Sequence, residues 1–154
     1  MTLFNSIITN PAFSIASLLI GFLLGHYLAI GRDKRNDFNK AAAIFREAFY
    51  PEIILLKHNV RVPDCRSYSD NPSEFLFAGY TLCHLKAFEV FRAYLSSKDK
   101  IGIDKAWKEY CHFDIEGETE PFFAMYAEEK WEGKDTKELA LERIEKILKF
   151  AKPK

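Results

Sequence analysis

Residues 11–31 read PAFSIASLLIGFLLGHYLAIG and contain no Asp, Glu, Lys or Arg. Residues 1–10 are also uncharged, so the 22 basic and 22 acidic side chains all lie in residues 32–154. A helix over residues 11–31 rises about 31 Å, which matches a hydrocarbon core of roughly 30 Å. The sequence therefore predicts a transmembrane helix at 11–31, preceded by a short extracytoplasmic N-terminus at 1–10 and followed by a separate domain at 32–154.

Basic residues follow the apolar segment, and none precedes it. The first five are Arg32, Lys34, Arg35, Lys40 and Arg46. A cleaved signal peptide carries its positive charge before the apolar core, so we interpret the segment as an uncleaved anchor. Because Lys and Arg stay on the cytoplasmic side, we expect a single-pass protein of the cell inner (plasma) membrane, with residues 32–154 in the cytoplasm. Three cysteines, an odd number, agree with a reducing compartment.

The juxtamembrane basic residues Arg32, Lys34 and Arg35 have two interpretations. They can act as a topology signal that also meets anionic lipid headgroups, or they can form a docking patch for a partner. The sequence favours the first interpretation, because such a cluster directly after a span is what orientation requires.

Small residues recur at every fourth position of the predicted span, at Ser17, Gly21, Gly25 and Ala29. This spacing allows two helix backbones to approach closely, which predicts a homodimer through the transmembrane helix. The alternative is the ordinary abundance of Gly, Ser and Ala in membrane helices, and the sequence leaves both open.

Residues 32–154 are predicted to be helical. Phe38, Ala42, Phe45 and Phe49 fall on one helix face, and nothing interrupts that helix before Pro51. The next segment, Glu52–Asn59, fits a helix better than a strand, but the sequence leaves both open.

Further helices are predicted at 72–97, at about 103–111 after a loop at 96–102, at 121–131 and from 135 or 136 to 151. The helix at about 103–111 is expected to line one face with Ile103, Trp107, Tyr110 and Cys111. The apolar residues of 72–97 cover most of its circumference, which predicts a central core helix. The last helix is expected to bury a face of five residues, namely Leu141, Ile144, Ile147, Leu148 and Ala151. The fold class is therefore all-α, with one transmembrane helix and a small cytoplasmic domain of about four to five helices.

Candidate chemistry is limited to two dipeptides, Cys83-His84 and Cys111-His112. Thiolate and imidazole bind zinc, but neighbouring helical residues point about 100° apart and the usual ligand spacing is missing. We therefore predict no metal and no cofactor, and interpret both cysteines as buried apolar residues. The acidic stretch 114–120 is interpreted as a solvated linker. A net charge of zero argues against nucleic-acid binding.

The span continues into residues 31–39, GRDKRNDFN, and then into a helix rich in Ala and Phe. This arrangement resembles a recurrent type of small bacterial single-pass membrane protein, which has an R-D-x-R-x-x-F-N-like juxtamembrane stretch and a helical cytoplasmic domain. The resemblance covers the first 50 residues and, loosely, the last 20. It implies an architecture and a bacterial inner membrane, but no activity.

The first functional hypothesis is a non-enzymatic, membrane-anchored interaction or scaffold protein that binds the lipid bilayer and an unknown protein partner. A second hypothesis is a membrane effector of the toxin or phage-defence type. A third is a membrane-proximal enzyme that uses Cys83, His84, Cys111 or His112.

Overall fold

The computed structural model describes residues 11–60, 71–111, 123–131 and 133–154. Six α-helices lie in this part of the chain: α1 Pro11–Ala48, α2 Tyr50–His58, α3 Pro72–Gly79, α4 Leu85–Arg92, α5 Ser97–Cys111 and α6 Thr136–Leu148. Short segments complete it: a π-helix Tyr80–His84, 3-10 helices Ala124–Ala127 and Lys149–Ala151, and strands β1 Lys130–Trp131 and β2 Lys134–Asp135. The chain divides into two compact units, Met1–Asp37 and Phe38–Lys154.

The predicted all-α class is confirmed. Because the π-helix joins α3 to α4 without a break, the described elements amount to five continuous helical rods. The one addition is an antiparallel hairpin in which Trp131 pairs with Lys134. Gly133 adopts a φ of 80° in its turn, a left-handed conformation that favours glycine.

In the first unit, α1 carries an exposed apolar surface. Its large apolar side chains between Phe13 and Ile30 are from 41% to 75% exposed. Within the described residues, one helix, Phe13–Ala48, is long and apolar enough to cross a membrane, and none of its most apolar window is buried. The core helix of a soluble protein would instead bury those side chains.

In the second unit, the predicted inner face at Phe38, Ala42, Phe45 and Phe49 is buried. The ring of Phe45 stacks on that of Phe91, with centroids 4.8 Å apart. The α1 helix ends at Ala48, and Pro51 lies in the first turn of α2, where its missing N–H costs nothing. The segment Glu52–Asn59 is therefore helical through His58, and Asn59 ends it in the left-handed conformation.

The segment predicted as one helix over 72–97 differs in two ways. It ends at Arg92, and the predicted loop at 96–102 is wrong because α5 already begins at Ser97. The hydroxyl of Ser96 accepts a hydrogen bond from the amide of Asp99 and donates one to its carboxylate, which caps α5.

The prediction that this segment is buried around most of its circumference is also wrong. Its inner side packs in the core, while its outer side is exposed. The exposed apolar residues are Phe77, Leu82, Leu85, Val90 and Tyr94.

The predicted helix at 121–131 is wrong for the residues described, which form one 3-10 turn and strand β1. The last helix is confirmed, and the Asp135 carboxylate caps it by accepting from the amides of Lys137 and Glu138. Ile144, Ile147 and Ala151 are buried as predicted, whereas Leu141 and Leu148 are only partly buried. The connector at 61–70 and the acidic stretch at 114–120 lie outside the described residues.

A bidentate ion pair between Arg92 and Asp104 joins α4 to α5. We expect its contribution to the stability of the domain to be lost in acid. Arg92 donates to both Asp104 oxygens, at 2.6 and 2.7 Å. The hydrogen bond from Arg92 holds the pKa of Asp104 below its ordinary value of 3.8. A carboxyl group whose pKa is lowered by folding stabilises the folded state at pH values above its ordinary pKa. This stabilisation is lost as the pH falls through the lowered pKa of the folded state.

We therefore expect Asp104→Asn to destabilise the domain at pH 7, with a difference that shrinks as pH falls below 3.8. Urea unfolding of both proteins over a pH series measures this difference. A difference that stays constant down to pH 3 would show that the pair does not provide it.

Candidate functional site

The small-residue row predicted for the span is open. A Cβ added at Gly21 or Gly25 would meet no atom within 4 Å. The hydroxyl of Ser17 donates to the carbonyl oxygen of Ser14 at 2.9 Å, so its polar group is satisfied within the helix. Ala29 is partly buried. Within the described residues, no side chain therefore fills the row at Gly21 or Gly25.

The predicted juxtamembrane residues Arg32, Lys34 and Arg35 are all exposed. Arg32 lies 3.8 Å from the Asp33 carboxylate, but both side chains are mostly solvated, at 70% and 67% exposure. Such a pair contributes little energy, so the basic side chains are available to headgroups or to a partner.

The two Cys-His dipeptides do not form a site in the part of the chain described here. Cys83 is partly buried, while Cys111 is fully buried. Burial raises the pKa of the Cys111 thiol, which keeps it protonated and unreactive. Among the described residues, no three His, Cys, Asp or Glu side chains lie close enough together to hold a metal. His112 lies outside them.

The structure instead places His84 in a buried polar cluster with Glu52 and Tyr110. All three residues are 0% exposed. The Nε2 atom of His84 lies 3.2 Å from Oε1 of Glu52, and Nδ1 lies 3.0 Å from the Tyr110 hydroxyl. The contact between Nδ1 and the Tyr110 hydroxyl is a hydrogen bond, in which the donor is set by the tautomer of the imidazole.

Three local features bring this cluster together. Pro51 and Glu52 both lie in the first turn of α2, and His84 is the last residue of the π-helix. Gly79 is the third feature, because a Cβ there would overlap the Glu52 carboxylate and lie 2.7 Å from Cε1 of His84. The ring of Phe49 stacks on the imidazole, with centroids 4.1 Å apart and planes 14° apart.

A second tyrosine supports the cluster from the other side. The Tyr126 hydroxyl donates to the carbonyl oxygen of Tyr110 at 3.0 Å, and it accepts from Nη1 of Arg143 at 3.3 Å. Burial raises the pKa of Tyr126 to about 12, against the opposing effect of the Arg143 charge. The hydroxyl therefore stays protonated and remains a donor to Tyr110.

The chain of carboxylate, imidazole and phenol has the chemistry of a proton relay. However, all three side chains are 0% exposed, so the described structure does not present them to a substrate. Their geometry instead ties α2, the π-helix and α5 to one another. The Glu52–His84 contact and the His84–Tyr110 hydrogen bond thus join these three elements inside the core.

An apolar groove lies on the outer side of the same π-helix, between α1 and α4. Its volume is about 590 Å³. One wall contains Ile44, Glu47 and Ala48, and the other contains Leu82, Cys83, Lys86, Ala87 and Val90. Ile44 and Leu82 are 57% and 58% exposed, so the groove presents aliphatic side chains to its surroundings.

No protein-family model, curated protein or solved structure matches this chain. Its function is therefore inferred from its own residues.

Sequence reasoning missed both the cluster and the groove. Glu52 has the pattern of an ordinary acidic residue in a first helical turn, and His84 is part of a Cys-His dipeptide with Cys83. One signal was present: Gly79 stands inside the segment predicted as a single helix, and an internal glycine often marks close packing.

Proposed function

We propose that this chain is a non-enzymatic, membrane-anchored interaction protein. Residues 11–31 span a bacterial inner membrane, and the helical domain lies at its cytoplasmic face. The observation that carries the proposal is the exposed apolar surface of α1, with Leu18 73% and Phe22 71% exposed. Such a surface is stable in lipid but not in water.

The distribution of charge supports the orientation. Arg32, Lys34 and Arg35 follow the span directly and are exposed, while residues 1–31 carry no charged side chain. This asymmetry favours retention of the basic end in the cytoplasm. The resemblance of residues 31–39 to a type of bacterial single-pass protein supports the same location.

Three observations favour interaction over catalysis. The buried cluster at Glu52 and His84 is closed to substrates, and burial keeps the Cys111 thiol protonated. The groove at Ile44 and Leu82 offers exposed aliphatic surface for contact with another protein.

Membrane extraction and a reporter fusion test the anchor and its orientation. We expect the full chain to stay in bacterial membranes after alkaline carbonate washing. A reporter that works only in the cytoplasm, fused after Lys154, should be active. The control is Leu19→Arg with Leu23→Arg, which places two charges in the span and should release the protein. Activity of a periplasm-only reporter would overturn the orientation, and carbonate-soluble parent protein would overturn the anchor.

The same cells distinguish interaction from membrane attack. Growth arrest and loss of membrane potential on induction would overturn the interaction proposal in favour of a membrane effector. Unchanged growth with a bound partner would support it.

The small-residue row gives a separate prediction about self-association of the span. Gly21→Leu keeps the segment apolar but adds a side chain where a second backbone would lie, so we expect weaker self-association in a membrane two-hybrid assay. Gly25→Leu should act in the same way. The matched control is Leu19→Ala, which lies off the row and should change little. Equal signals from all variants and the parent would exclude a dimer through this row.

A further inference from the structure

The groove between α1 and α4 has the two features that an interface between copies of one chain needs. Its aliphatic part consists of exposed side chains on both walls, since Ile44 is 57%, Leu82 is 58% and Val90 is 47% exposed. Burying these side chains against another apolar surface would be favourable by the hydrophobic effect.

The second feature is the charge on the two walls. Glu47 lies on the α1 wall and Lys86 on the other, and both are exposed. The groove thus presents an acidic residue on one wall and a basic residue on the other, and neither forms an ion pair with another described residue.

We propose that the groove binds the same groove of a second copy of this chain. A two-fold axis through the groove would place the α1 wall of one copy against the opposite wall of the other. Ile44 then packs on Leu82 and Val90 of the second copy. Each Glu47 meets Lys86 of the second copy, so the pair of charges is satisfied twice.

Self-complementarity selects a second copy over an unrelated protein. An unrelated partner would have to supply its own basic and acidic residues in matching positions, whereas this chain already carries both. The inference also rests on the proposed membrane anchor, because anchoring both copies in one bilayer raises their effective concentration. The groove interface then needs only a modest intrinsic affinity.

Charge exchange in the full-length protein, reconstituted in lipid vesicles and read out by energy transfer between labelled copies, tests the inference. Glu47→Lys and Lys86→Glu should each lower the association constant of the dimer by about tenfold, because like charges then face each other across the interface. The double variant should regain dimerisation. The most specific test is a mixture of the two single variants. The two variants should associate with each other, although neither associates well with itself.

The control is Lys105→Glu, an exposed lysine of α5 outside the groove, which should leave the constant unchanged. Thermal unfolding curves that match the parent establish that the variants remain folded. Equal dimerisation constants for all variants would overturn the inference, as would loss in both single variants without recovery in the double variant or the mixture. A parent that is inserted but monomeric overturns it as well. A parent that fails to enter the vesicles contradicts the proposed anchor instead.

Discussion

Replacing Gly79 with alanine is expected to lower the free energy of unfolding by about 3 kcal/mol, the upper end of the usual cost of overpacking. In an ordinary helix the change from glycine to alanine stabilises the protein by up to about 1 kcal/mol, so the effect expected at Gly79 has the opposite sign. The reason is local space. The added Cβ would overlap the Glu52 carboxylate and lie 2.9 Å from Nε2 of His84. Both side chains are held in the core and cannot move aside into solvent.

Denaturant unfolding of the full chain in detergent measures this effect. Gly31→Ala is the matched control, because a Cβ there meets no atom within 4 Å and the change should not destabilise. If Gly79→Ala proved as stable as the parent, the close approach of Gly79 to the Glu52–His84 pair would be wrong.

The second large effect concerns the buried pair itself. Glu52→Leu and His84→Leu should each cost about 3 kcal/mol, because each leaves a buried polar partner without its counterpart. In the double variant both polar groups are gone. We therefore expect it to cost less than the sum of the two single changes by about 1–3 kcal/mol.

The same unfolding experiment on the four proteins of this cycle gives the coupling energy. Tyr94→Ala is a suitable reference, since Tyr94 is 48% exposed and outside the cluster. Strictly additive costs for Glu52→Leu and His84→Leu would mean that the two side chains do not act as a pair.

The main helices could be predicted from the sequence because their periodicity and their ends are local properties. The apolar residues from Phe38 to Phe49 recur with helical spacing. A proline that follows such a pattern, here Pro51, marks the start of the next helix. Asp135 followed by Glu138 is likewise a cap that can be read from four residues.

The buried cluster could not be predicted in the same way because its members come from three separate segments. Glu52 and Tyr110 are distant in the chain, and no local pattern shows that both face His84. The π-helix is equally hidden, since it depends on the packing that it accommodates.

For the outer side of the segment 72–92 the error is the opposite one, because the sequence predicts burial for residues that are exposed. Leu82 and Val90 have the composition of core residues, but only tertiary structure reveals that nothing in the described domain covers them.

The π-helix also determines which changes of chain length the domain can accept. Its wide turn holds one residue more than an α-helical turn and so absorbs that residue locally, while Ala87 and Phe91 in the helix that follows are buried. Deleting one residue within Tyr80–His84 lets the turn relax to ordinary α-helix and leaves α4 in phase. Deleting one from α4 itself would rotate everything after it by about 100° and carry charged side chains toward the core. Within the segment 72–92, changes of chain length are thus tolerated only in the π-helical turn Tyr80–His84.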